Sequence, residues 1–83
     1  MTDEIDLDSI TLTPETRTWF AAMAADLKAF YQSVGARLTQ RELFLAVERQ
    51  FGNRLLEEIC LPHGYHAGGC VVLAIQYMRE LAA

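Results

Sequence analysis

The sequence has little basic charge and no long apolar run. Seven lysines and arginines stand against eleven aspartates and glutamates, which gives a net charge of −4, whereas nucleic-acid-binding domains are more often basic. No stretch of apolar residues is long enough for a transmembrane helix, so we expect no membrane span. Residues 1–4 include two acidic residues and lack the basic start of a secretory signal. We therefore expect a cytoplasmic protein that does not associate with a membrane.

The sequence also offers few residues that could carry out catalysis. Cys60, His63, His66 and Cys70 follow the spacing C-x2-H-x2-H-x3-C, and zinc accepts all of these residue types as ligands. Buried thiols and polar loop histidines explain the same residues without a metal, and a disulfide or a reactive thiol is a further alternative. Nothing in the sequence places an orienting group or an oxyanion site beside them. We expect no enzyme activity, no catalytic residues, no bound metal and no cofactor.

The chain is short and rich in apolar residues. Its 83 residues form one small domain, and 52% of them are hydrophobic, against about 45–50% in a typical soluble domain. A chain of this length has little interior in which to bury them. An apolar excess of this kind indicates a partner surface, most simply a second copy of the chain. We therefore expect a homodimer.

A short alternating segment precedes the first helix. Residues 1–8 form an acidic lead, after which Ile10 and Leu12 alternate with threonines. Alternation of this kind predicts a short strand over residues 8–13, with Ile10 and Leu12 facing inward.

The two best-marked helix starts follow this segment. Thr13 is a suitable N-cap, and a helix of about 20 residues should run from it to Gly35, a typical C-terminal stop. Thr39 and Glu42 have the spacing of a capping box. The second helix should begin there and end at Gly52.

The sequence of residues 53–83 predicts further helices, which extend the strand and two helices expected over residues 8–52. A short third helix is expected over residues 54–60, burying Leu55, Leu56 and Ile59. A last helix is expected from Cys70 to Leu81, although β-branched residues in this segment are also compatible with a strand. The predicted fold is therefore mainly α. A short N-terminal strand is followed by three to four helices, in a single domain over residues 1–83 that forms a homodimer with a shared core.

The sequence ITLTPE, followed by LTQRELFLAV, resembles the ribbon-helix-helix family of repressors and antitoxins over about residues 8–52. The resemblance implies that two copies pair their strands into an antiparallel ribbon, which enters the major groove of double-stranded DNA. It also implies that the second helix presents its N-terminus to a DNA phosphate. The DNA-binding residues implied in this way are Ser9, Thr11 and Thr13 on the strand and Thr39, Gln40 and Arg41 at the start of the second helix.

A second hypothesis is a protein-binding module. Residues 1–16 contain five acidic residues and no basic residue, and such a segment could bind a basic partner or mimic phosphates. The high apolar content also fits a surface that binds another protein. The two functions considered are therefore a DNA-binding regulator of the ribbon-helix-helix type and a small acidic helical adaptor or inhibitor, of the kind found on mobile elements.

Overall fold

The computed structural model of the protein describes residues 10–83, and helices account for most of them. Short 3-10 turns follow the first two helices, at Ala21–Met23 and Gly35–Arg37, and a π-helical segment, Leu56–Cys60, follows the third. No strand occurs within residues 10–83. The five α-helices within residues 10–83 are α1 (Pro14–Phe20), α2 (Ala24–Val34), α3 (Gln40–Leu55), α4 (Leu61–His63) and α5 (Ala67–Ala82).

The predicted strand over residues 8–13 is wrong for the part of it that the structure describes, residues 10–13. The side chain of Gln76 on α5 accepts the Leu12 N–H (3.1 Å) and donates to the Ile10 carbonyl (2.6 Å). These backbone groups would otherwise be available to a neighbouring strand. Leu12 is buried, as predicted, but it packs into the core of its own chain. Residues 8 and 9 and the acidic lead, residues 1–8, lie outside the described residues.

The first predicted helix is divided into two. The Thr13 hydroxyl accepts the Thr16 N–H (3.2 Å), which confirms the predicted N-cap. The helix then passes through the 3-10 turn Ala21–Met23 before α2 begins. Gly35 follows α2 with an ordinary helical φ of −58°, so it does not end the helix through a left-handed conformation. A Cβ at Gly35 would overlap the ring of Tyr31, and close approach is therefore what requires glycine here.

The capping box at the start of α3 is confirmed, but the predicted end at Gly52 is wrong. The Thr39 hydroxyl accepts the Glu42 N–H (3.1 Å), and the Glu42 carboxylate accepts the Thr39 N–H (3.0 Å). The helix continues through Gly52 to Leu55 and then directly into the π-helical segment. The third predicted helix is therefore a continuation of the second. Leu55 and Ile59 are buried as predicted, whereas Leu56 is exposed.

Helix α5 forms the centre of the molecule. It packs against α1, α2, α3 and the π-helical segment, and every residue from Cys70 to Ile75 is buried. A helix surrounded by others is apolar on all sides, which explains the run of β-branched residues that also suggested a strand. The core of the described residues draws on all of these elements. A homodimer stays a prediction.

Replacing Thr39 with alanine should destabilise the protein by about 1 kcal/mol, because the first turn of α3 would lose its side-chain cap. Chemical denaturation followed by circular dichroism measures this loss. Thr18→Ala is the matched control, since Thr18 lies exposed within α1, where such substitutions change stability by less than about 0.5 kcal/mol. Equal losses in the two variants would contradict the capping role.

Candidate functional site

The residues predicted to read DNA bases do not form a ribbon within the described residues. Thr11 is exposed in a non-helical stretch, and Thr13 is the N-cap of α1. The Thr13 backbone N–H donates to the Thr16 hydroxyl (2.8 Å), so the hydroxyl and the backbone N–H of Thr13 both take part in capping α1. Ser9 lies outside the described residues.

The residues predicted to hold the DNA backbone lie together at the start of α3. Arg41 is exposed and Gln40 is half-buried. The pKa of Glu42 is lowered, first because the Thr39 backbone N–H donates to its carboxylate and second because of the Thr39 hydroxyl. This carboxylate is already at the helix N-terminus, where a phosphate would bind. A DNA phosphate would have to approach a negative charge at this position.

The Cys and His residues are not arranged as a metal site. The Cys60 and Cys70 side chains are buried and their sulfur atoms lie 2.7 Å apart. The His63 ring stacks on Trp19, with centroids 4.0 Å apart and planes inclined by 12°. His66 is exposed and precedes the first turn of α5. Among residues 10–83, no three His, Cys, Asp or Glu side chains form a group that could hold a metal ion.

A wide cleft of about 590 Å³ lies between α2 and α3. Phe30 and Phe51, which line the cleft, make an edge-to-face contact. Arg54 binds Asp26 on α2 (2.7 Å) and Glu58 on its own helix (3.3 Å), and these hydrogen bonds raise the pKa of Arg54. The charged groups of the cleft thus neutralise one another, which leaves little to orient a substrate.

A line of leucines on the surface is the most distinctive external feature of the described chain. Leu45 lies on α3, and Leu56 is the first residue of the π-helical segment that continues it. The two leucines are about three helical turns apart, so they lie on the same side of this continuous helix. Gly52 lies between them on the same side. Leu61 follows one π-helical turn later, because its N–H donates to the Leu56 carbonyl. These four residues are called the leucine face below, and its leucines are exposed by 43%, 42% and 69% in chain order.

A groove opens beside the leucine face, between α3 and the first turns of α5. Its volume is about 230 Å³, and it is lined by three core residues, Leu55, Cys60 and Val71, as well as by more exposed ones. Glu48 and Asn53 supply its polar rim, and Cys60 lies within its wall. The groove therefore gives an incoming apolar side chain access to the protein core.

Sequence reasoning missed this groove. Leu45 lies off the buried stripe of α3, a signal that this side of the helix is exposed or covered by a partner. Leu56, by contrast, was expected to be buried. Leu56 is exposed because it lies about three helical turns after Leu45 on the same side of the helix. The π-helical segment then adds a residue to the turn, which places Ile59 and Cys60 together in the core and Leu61 on the surface. No property of the local sequence predicts this π-helical turn.

No helix among the described residues is both long enough and apolar enough to cross a membrane. The chain matches no protein-family model, no curated protein and no solved structure.

Proposed function

We propose that this protein is a small helical protein-binding module, acting as an adaptor or inhibitor, which binds an amphipathic helix of its partner on the leucine face. The observation that carries the proposal is the row of exposed leucines beside a groove that reaches the core. Helix-in-groove recognition uses this arrangement, with apolar anchors at helical spacing. Exposed leucines also represent an unsatisfied apolar surface, and covering each of them contributes roughly 1–2 kcal/mol.

The size of the groove favours a side chain over a small-molecule ligand. Ligand pockets usually enclose about 300–1,000 Å³, whereas this groove encloses about 230 Å³ and is open to solvent. Its rim offers Glu48 and Asn53 but no cluster of groups that would orient a substrate. One leucine or phenylalanine of a partner helix, with its neighbours resting on Leu56 and Leu61, matches the space better than a cofactor.

The charge of the chain favours a basic partner. Glu48 and Glu57 lie beside the leucine face, and neither takes part in an ion pair within residues 10–83. Arg49 is also exposed on this helix, so the local excess of negative charge is small. The four acidic residues within residues 1–8 account for the net charge of −4, and they would add long-range attraction for a cationic partner and speed its association. We therefore infer a partner helix whose apolar face is bordered by lysine or arginine.

DNA binding through a shared ribbon receives no support from residues 10–13, because Gln76 of the same chain binds their backbone. Whether the chain binds DNA in any way stays a prediction from the sequence. A cytoplasmic location is also proposed, since the two free cysteines fit a reducing compartment.

The proposal predicts that Leu56→Asp weakens binding of a basic amphipathic peptide by about tenfold or more, because a carboxylate would have to be buried beside the groove. The probe is a designed helical peptide with leucines on one face and lysines along its borders. Fluorescence anisotropy with the labelled peptide measures the dissociation constant.

Two controls make the measurement specific. Gln32→Asp adds the same charge at an exposed position on α2 and should leave the affinity unchanged. A twin peptide with glutamates in place of lysines should bind at least several-fold more weakly. Equal binding by the two peptides, insensitivity to Leu56→Asp, or a dimer that buries the leucine face and excludes the peptide would overturn the proposal. Labelled duplex DNA at low salt is tested separately, because the cationic peptide would itself bind DNA, and binding of the duplex by the protein would favour a nucleic-acid surface instead.

A further inference from the structure

Two buried thiols meet where the π-helical segment packs against α5. The Cys60 and Cys70 sulfurs are 2.7 Å apart, compared with about 2.05 Å in a disulfide. Cys60 is 3% exposed and Cys70 is fully buried. No other cysteine is present in the sequence, so each thiol has the other as its partner for oxidation within the chain.

The local fold holds the two thiols in this position. The π-helical turn puts the consecutive residues Ile59 and Cys60 into the core together. The Tyr65 N–H then donates to the Cys60 carbonyl (2.8 Å) and closes the turn after α4. Gly64 makes this turn possible with a φ of +65°, a conformation that favours glycine. The chain thus returns to start α5 with Cys70 against Cys60, and joining them requires only a small movement.

We propose that Cys60 and Cys70 are a thiol-oxidation site, which forms a reversible disulfide within the chain when it meets hydrogen peroxide. The proposal stands independently of the proposed protein-binding function. A transient disulfide is also the form in which disulfides usually occur in reducing compartments.

The geometry assigns different roles to the two sulfurs. Cys60 lies in the wall of the groove, so peroxide reaches it first. The Cys60 thiol gives up its proton, the thiolate sulfur attacks one peroxide oxygen, and the O–O bond breaks. Cys60 becomes a sulfenic acid, while the second oxygen leaves as hydroxide and takes up the proton that the thiol released, forming water. Cys70 then attacks the Cys60 sulfur, the S–O bond breaks, and the departing hydroxide takes the Cys70 proton to form a second water. Two thiols have lost two electrons, and peroxide has gained them.

Burial makes Cys70 a resolving thiol and unsuitable as the first nucleophile. Removal from water, together with the Cys60 contact, raises the pKa of Cys70 to about 12, so Cys70 stays protonated at neutral pH. Thiolates react with peroxide and thiols hardly do. Cys70 therefore reacts only after Cys60 has been oxidised beside it. The short distance between the two sulfurs favours this second step, and so does the departing hydroxide, which accepts the Cys70 proton.

The test treats the full-length protein with hydrogen peroxide and then alkylates the remaining thiols under denaturing conditions. We expect the mass to show the loss of two hydrogens and no alkylation, in a monomer on a non-reducing gel. Dithiothreitol should restore both thiols. The melting temperature should rise by about 10 °C, because the disulfide closes a short loop over residues 60–70.

Single-cysteine variants separate the two roles. In Cys70→Ala, Cys60 should stop at sulfenic acid, which dimedone traps, and the melting temperature should not rise on oxidation. In Cys60→Ala, Cys70 should keep its free thiol under the same treatment. If either variant fails to fold, the mass and melting temperature of the unmodified chain still decide the matter. Two thiols that remain open to alkylation, a disulfide only between chains, or sulfinic acid without any disulfide would overturn the proposal.

Discussion

Replacing Phe20 with alanine is expected to lower the free energy of unfolding by about 3–5 kcal/mol. Phe20 is fully buried where α1 meets α5, and its ring packs against that of Tyr77. The substitution removes the apolar surface of the ring and leaves a cavity that the surrounding helices fill only in part. A domain of this length has a total stability of about 4–12 kcal/mol. Phe20→Ala should therefore remove a large share of it and populate unfolded chains near 37 °C.

Urea denaturation followed by circular dichroism measures the effect of Phe20→Ala. The matched control is Phe44→Ala, because Phe44 is only half-buried at the edge of the core. This substitution should lower the free energy of unfolding clearly less. Phe20→Leu keeps most of the side-chain volume, so its loss of stability should lie between those of the two alanine variants. A loss for Phe20→Ala no greater than that for Phe44→Ala would show that α1 does not pack on α5 as the structure has it.

The starts of the helices could be predicted because their chemistry is local. The capping box joins Thr39 and Glu42, and the Thr13 cap reaches only to Thr16. Each of these contacts spans three residues, so the sequence contains both partners within one short window. Helical periodicity is equally local, and it groups the buried residues Leu43, Val47 and Phe51 on one face of α3.

The extended segment before α1 could not be assigned correctly from its own residues. Apolar alternation shows that Ile10 and Leu12 face inward, but the same pattern suits a strand in a ribbon or a single segment lying against a helix. The choice depends on Gln76, which is 64 residues further along the chain than Leu12. The position of Gln76, after the apolar run Cys70 to Ile75 of α5, does not indicate that its side chain binds this backbone.

The leucine face and the thiol pair depend on how α3 ends and passes into the π-helical segment. Gly52 was expected to end α3, because glycine in a helix interior costs about 1 kcal/mol relative to alanine. Burial of Phe51 and Leu55 on either side of Gly52 outweighs that cost, and the helix continues. The π-helical turn then places Leu61 on the surface and brings Cys60 towards Cys70. Neither the leucine face nor the thiol pair can therefore be predicted without the packing of α5.

Replacing Gln76 with leucine should lower the free energy of unfolding by about 2–3 kcal/mol. The variant keeps the size of the side chain but removes both the acceptor for the Leu12 N–H and the donor to the Ile10 carbonyl. Each lost hydrogen bond contributes about 1 kcal/mol, and leaving partly buried backbone groups without a partner adds to the loss. Hydrogen exchange should show faster exchange at the Leu12 amide, and denaturation measures the change in stability.

The Gln76 variants also distinguish a pinned segment from a ribbon between two copies. Gln76→Glu keeps an acceptor for the Leu12 N–H but loses the donor, so its stability should lie between those of the leucine variant and the unmodified chain. Gln50→Leu, at an exposed position on α3, should have little effect. If residues 10–13 paired with a second copy, their amide protection would depend on protein concentration and would survive Gln76→Leu. Because Gln76 holds this backbone within its own chain, protection that is independent of concentration and lost in Gln76→Leu would establish the monomeric arrangement.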